Sequence, residues 1–267
     1  MDNRFANWNG SNMSEAARSV MIRNVSNAIL IHHMTSFRLP DVTIKKMSSS
    51  QQKFWRNKKT CKGNHIITWR RVQKPKEEGG LGFRDMHTFN RALLAKSYWR
   101  LSSDTESMMA KSLQEKYFQD GDLFNLKNKT NTTWSWRSLS SELYFVQANS
   151  CWCLGDGKMI LIWQHRWIQV LPHPPVPRQG STTHLNFKYV CELFNQSKNS
   201  WNLDLLHELF DLNTVNLIWN TQIHINCEDR LIWLLKKNGR FSVKSAYRKL
   251  HEEHNNSESI EPRMIKI

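Results

Sequence analysis

From Lys45 to Lys76 the chain places eleven basic residues and not one acidic residue: Lys45, Lys46, Lys53, Arg56, Lys58, Lys59, Lys62, Arg70, Arg71, Lys74 and Lys76. Such a segment repels itself unless counter-charge is supplied. It is met either by solvent, as a plain basic surface, or by a polyanion, for which nucleic-acid phosphate is the usual source. The aromatics Phe54, Trp55 and Trp69 interleave with the cations, as a surface for stacking bases would require. The nucleic-acid reading is therefore preferred over the solvated one.

The formal net charge is +15. Residues 1–100 hold 19 Lys and Arg against 6 Asp and Glu, so almost all of the excess lies there. At 267 residues the chain is long enough to bury a real core. Twelve Trp and twelve Phe supply bulky material for it, and most are expected to pack. Five cysteines without a framework spacing favour a reducing compartment. The opening MDNRFANWNG has no apolar run of the secretory kind, and no window approaches a membrane span. The expectation is an intracellular protein of nucleus or cytoplasm, with the mitochondrion as an option.

Helical spacing runs from Ser14 to about Phe37, then from Asp41, as N-cap, to about Trp55. A polar basic turn is expected at Lys58–Asn64 and a short strand at His65–Trp69. Pro75–Gly82 is turn chemistry. Helix resumes at about Met86–Leu101, and Ser103 with Glu106 reads as a capping box for the next helix. A polar loop (Gly121–Thr133) precedes helix at Trp134–Val146. Cys151–Leu154 and Lys158–Trp163 flank Gly155-Asp156-Gly157, a hairpin signal. Pro172, Pro174, Pro175 and Pro177 exclude helix and central strand. Short helices at 187–194 and 201–219, a second hairpin turning at Asn238-Gly239, and a helix to about Glu253 complete the pattern. The expected fold class is mainly α with small β-hairpins (α+β). The expected organisation is a basic, mainly helical region (1–170), a Pro-rich linker (171–183), a small α+β module (184–253) and a disordered tail (254–267).

Polymerases and ribonuclease H-type nucleases hold divalent metal with clustered carboxylates. This chain has no Asp-Asp pair; its adjacent acids are Glu77-Glu78, Glu228-Asp229 and Glu252-Glu253. Cys151-x-Cys153 lacks zinc-knuckle spacing and reads as core packing on one face of a strand. No phosphate loop or nucleophile elbow is present. The residues thus point away from an enzyme, a cofactor, a metal or a small-molecule substrate. RNA or single-stranded DNA is the expected partner.

Several blocks resemble plant LINE-type (non-LTR) retrotransposon reverse transcriptases, just downstream of the polymerase domain. They are Met13–Pro40, Lys74–Leu101 (KPKEEGGLGFRDMHTFNRALLAKSYWRL), Trp134–Leu139, Leu154–Ile168 and Glu228–Leu250, in the family's order. Similar stand-alone fragments occur as short plant reading frames, some in mitochondrial genomes. The resemblance implies thumb and linker structure between the polymerase palm and a C-terminal zinc-binding domain, without catalysis of its own. It also implies that Gly79, Gly80, Gly82, Gly155 and Gly157 fix turns and that Trp163, Trp167 and Trp233 are core. Lys74, Lys76 and Arg84 match motif cations, and with Lys58, Lys59, Lys62, Arg70 and Arg71 they form the expected phosphate-contacting set. The departures are Leu30 for a helix Pro, Arg56-Asn57 for Trp-Gly, and His165 for the Asp between two Trp.

Overall fold

The computed structural model describes residues 12–57, 67–117, 132–180, 182–195, 197 and 200–260. The expected turn at Lys58–Asn64 and almost all of the loop at Gly121–Thr133 lie outside them. The chain divides into two compact units. One contains Met1–Ser97, Thr133–Ser140 and Val243–Ile267; the other contains Tyr98–Thr132 and Ser141–Ser242.

In the first unit, helix α1 (Glu15–Met21) starts at Ser14, whose hydroxyl accepts the Ala17 N–H at 3.2 Å. The expected long helix does not continue. A π-turn occupies Ile22–Ser26, and helix resumes only at α2 (Ile31–Ser36). Helix α3 (Asp41–Arg56) places a polar side chain against this break. The buried Gln51 amide donates to Ser26 Oγ (3.0 Å) and Asn27 Oδ1 (3.1 Å). Asp41 is the first residue of α3 rather than its cap, which is Pro40.

Trp69 does not end a strand. It opens α4 (Trp69–Gln73), capped by Thr68. Helix α5 (Met86–Ser103) is capped by Asp85, whose carboxylate accepts the Thr88 N–H at 2.8 Å. Met86, Phe89 and Leu93 join Met34, Ile44 and Met47 in one core cluster. The buried Asn90 amide holds the 34–39 bend, donating to Met34 and Phe37 carbonyls and accepting the Leu39 N–H. Helix α6 (Met108–Tyr117) belongs to the second unit. Its cap is Ser107, which accepts the Ala110 N–H at 3.3 Å, and not the expected Ser103–Glu106 box. Glu106 instead pairs with Lys111 at 2.8 Å, which lowers its carboxyl below the usual range.

The expected helix at Trp134–Val146 is two, α7 (Trp134–Ser140) and α8 (Leu143–Ala148). The mainly helical α+β class holds, but the strands do not form local hairpins. β1 (Ser150–Cys153) pairs antiparallel with β2 (Arg230–Trp233), Ser150 opposite Trp233 and Cys153 opposite Arg230. The reason is Asp229, which is buried beside β2. Its carboxylate accepts the N–H groups of Gly155 (2.8 Å), Gly157 (3.0 Å) and Met159 (2.9 Å). The Gly155–Met159 segment wraps that carboxylate instead of turning back onto β1. Gly155 has to be glycine, because a Cβ would lie 2.3 Å from the Cys227 carbonyl oxygen. Likewise no strand forms at Arg240–Val243: Trp233 N–H donates to the Gly239 carbonyl at 2.8 Å and closes a tight loop.

Trp233 is fully buried against Trp99, Phe145 and Phe241. Trp167 is buried and donates from Nε1 to the Ile162 carbonyl at 3.1 Å. Trp163 is half-buried, its Nε1 shared between the Phe187 and His184 carbonyls. His165 is buried; its Nδ1 accepts the Leu161 N–H at 3.1 Å and its ring stacks on Trp152. The Pro-rich stretch is tied down, Arg178 donating to the Leu209 and His207 carbonyls at the end of α9 (Leu203–Leu209). α10 (Leu212–Trp219) follows, capped by Asp211. The final helix α11 (Val243–Ile260), in the first unit, runs on past Glu253.

Candidate nucleic-acid interface

The described parts of the basic segment contribute Phe54, Trp55, Trp69 and Val72 to a cluster with Ile22 and Phe83 in the first unit. Trp69 and Val72 are on the buried side of α4, so helical spacing leaves Arg70 and Arg71 exposed between them. The chain then folds back on itself. Leu81 and Phe83 N–H groups both reach the Val72 carbonyl, at 3.0 and 3.4 Å, and Gly82 N–H reaches that of Lys74 at 2.9 Å. Gly80 sits inside this turn, where a Cβ would be 2.0 Å from the Lys74 carbonyl oxygen. Gly79 has φ +76°, the left-handed region.

This turn presents Lys74, Lys76 and Arg84, all exposed, on the same short excursion as Arg70 and Arg71. The Arg84 guanidinium lies over the Phe89 ring at 4.4 Å. Lys74 pairs with Glu78 at 3.9 Å, both well exposed, a contact worth at most about 1 kcal/mol. Of the eight expected phosphate-contacting residues, the structure therefore gathers these five; Lys58, Lys59 and Lys62 lie outside the described residues.

The stacking expectation is overturned. Phe54, Trp55 and Trp69 are buried in one cluster with Phe83, and the rings of Trp55, Trp69 and Phe83 lie with centroids 5.4 to 6.1 Å apart. Trp55 donates from Nε1 to Ser19 Oγ at 3.0 Å. These rings form the core that the cations sit on. Three arginines also turn inward. Arg18 donates to the Trp55 and Met13 carbonyls, Arg23 to that of Leu81, and Arg56 to that of Ile67. Sequence offers no signal for this, since inward and outward arginines share one composition.

Each acidic pair has a local use. Glu77 and Glu78 are exposed in a short 3-10 turn (Lys76–Glu78). Glu253 pairs with Lys249 at 3.9 Å. Asp229 holds the Gly155–Met159 segment. Among the described residues no group of three His, Cys, Asp or Glu could hold a metal ion. Cys151 is buried and unbridged, and burial pushes its thiol up to about 11, away from reactivity. Among the described residues no helix is long and apolar enough to cross a membrane.

Two proteins of Arabidopsis thaliana are similar to this chain. The chain is 28% identical to the "Putative ribonuclease H protein At1g65750" of Arabidopsis thaliana, over 94% of its own length, and spans 41% of that protein. It is 30% identical to the "Uncharacterized mitochondrial protein AtMg00310" of the same plant, using 56% of its own length to cover 99% of that protein. The chain belongs to the family of this second protein. No family model matches it, and no solved structure does.

Proposed function

We propose that the chain is a non-catalytic relative of plant LINE-type reverse transcriptases, drawn from the connecting region beyond the polymerase palm. Its basic N-terminal part holds RNA or single-stranded DNA by the phosphate backbone, without reading sequence. The observation that carries this is α4 with the glycine-built turn after it, which expose Arg70, Arg71, Lys74, Lys76 and Arg84 over one aromatic core. With the aromatics buried, affinity rests on charge, and charge-based binding falls steeply with salt. The similarity to a protein whose name carries ribonuclease H supports a nucleic-acid setting.

The test is fluorescence anisotropy with a labelled single-stranded RNA across salt concentrations. Replacing the five cations with Gln should weaken binding by a similar factor for unrelated sequences. The log–log salt slope should fall by about 0.7 for each phosphate that is no longer neutralised. Absence of binding by a folded protein would leave the second reading, an inherited transposon relic with no selected function. Incubation with an RNA–DNA hybrid and Mg²⁺ should yield no cleavage; hydrolysis by the purified chain would overturn the non-catalytic part.

A further inference from the structure

We infer that the second unit carries a separate pocket for a single unstacked nucleobase. A cavity of about 410 Å³ opens between α8, β1 and the segment running from Gln164 to Pro174. That volume falls in the roughly 300–1,000 Å³ range of small-ligand sites. Its rings come from Tyr144, Trp152, His165 and His173, and its amides from Gln147 and Gln164.

Arg166 borders the cavity. Its Nη1 and Nη2 donate to the Ala148 and Gln169 carbonyls at 3.1 and 3.0 Å, which fixes the guanidinium against the backbone. Its buried Nε has no acceptor among the described residues. Among the described residues of the lining Arg166 is the one Lys or Arg, so a multiply charged phosphate is poorly matched there. A planar ring with polar groups on its edge matches this lining: it stacks on the exposed rings of Tyr144 and His173 and meets the Gln164 amide along its edge. Trp152 and His165, already stacked at 5.1 Å and 15°, stiffen the wall. The pocket deepens the nucleic-acid reading while using none of the basic-turn residues.

Free nucleosides test it, because they carry no phosphate and so do not engage the basic turn. Saturation-transfer NMR with uridine, cytidine, adenosine and guanosine should show transfer to base protons in the full chain. Tyr144 is 79% exposed and Gln164 is exposed, so a Tyr144→Ala/Gln164→Ala variant should keep the fold, which circular dichroism checks. It should bind nucleoside about tenfold more weakly. The five-cation variant should bind nucleoside as wild type does, even if RNA binding is lost. No transfer from any nucleoside, transfer undiminished in the double variant, or binding of indole without nucleoside would each overturn the proposal.

Discussion

Asp229 and His165 show how single side chains replace regular secondary structure in the second unit. The Asp229 carboxylate accepts three backbone N–H groups from Gly155, Gly157 and Met159, more than 70 residues away for two of them. Asp229→Asn keeps one oxygen but turns an NH2 toward a backbone N–H, so a buried donor is left without an acceptor. The expected loss is about 1–3 kcal/mol of stability, read as a lower urea midpoint; an unchanged midpoint would reject the role. His165 accepts the Leu161 N–H through Nδ1, a role that needs only an acceptor at this position. His165→Asp should therefore stay close to wild type, whereas His165→Leu should lose about 1–3 kcal/mol in the same titration. Neither role was legible beforehand. Glu228-Asp229 reads as an ordinary acidic pair, because sequence does not reveal which distant N–H groups converge on a carboxylate.

At the scale of elements, periodicity located most helices but not their ends. Apolar spacing marks α3, α5 and α11, while the first helix breaks where Gln51 meets Ser26 and Asn27. Both hairpin signals failed for the same reason: tight glycine turns satisfy a hairpin pattern, yet strand choice depends on a partner far along the chain. Capping allows a direct test. Ser107, not Ser103, accepts the first free N–H of α6. Ser107→Ala should cost about 1 kcal/mol and Ser103→Ala should cost little; the reverse order in thermal melts would restore the capping box. The turn that carries Lys74 and Lys76 was read correctly as glycine chemistry. Gly80→Ala drives a methyl onto the Lys74 carbonyl. It should lower both the melting temperature and RNA affinity, whereas Gln at Lys74 and Lys76 should lower affinity alone.

Over the whole molecule, the mainly helical class and the basic character of residues 1–100 follow from composition and period, which are local properties. The assembly of residues 1–97, 133–140 and 243–267 into one unit is not local. It depends on contacts such as the Tyr247 hydroxyl accepting the Asp85 N–H at 2.9 Å, 162 residues apart. Each unit buries an acid with a high ionisation point, which makes the stability of the whole chain sensitive to alkali. In the second unit burial pushes Cys151 from 9.0 up to about 11. In the first, burial likewise pushes Tyr247 from 10.0 up to about 12. In both cases the folded value lies above the unfolded one. The contribution is therefore fully present below the unfolded value and is lost as pH rises through the folded one. Urea stability should be level from pH 7 to about 8.5 as far as these groups act, fall from pH 9 as unfolded Cys151 ionises, and steepen beyond pH 10 as Tyr247 joins. Each group accounts for a loss on the order of 2–3 kcal/mol across its window. Cys151→Ala should remove the decline between pH 9 and 10, and Tyr247→Phe the extra slope above it, although both variants start from a lower stability at pH 7. Identical pH slopes in wild type and the Cys151→Ala variant would mean that the β1 thiol ionises without unfolding, and that the strand is open to solvent at high pH.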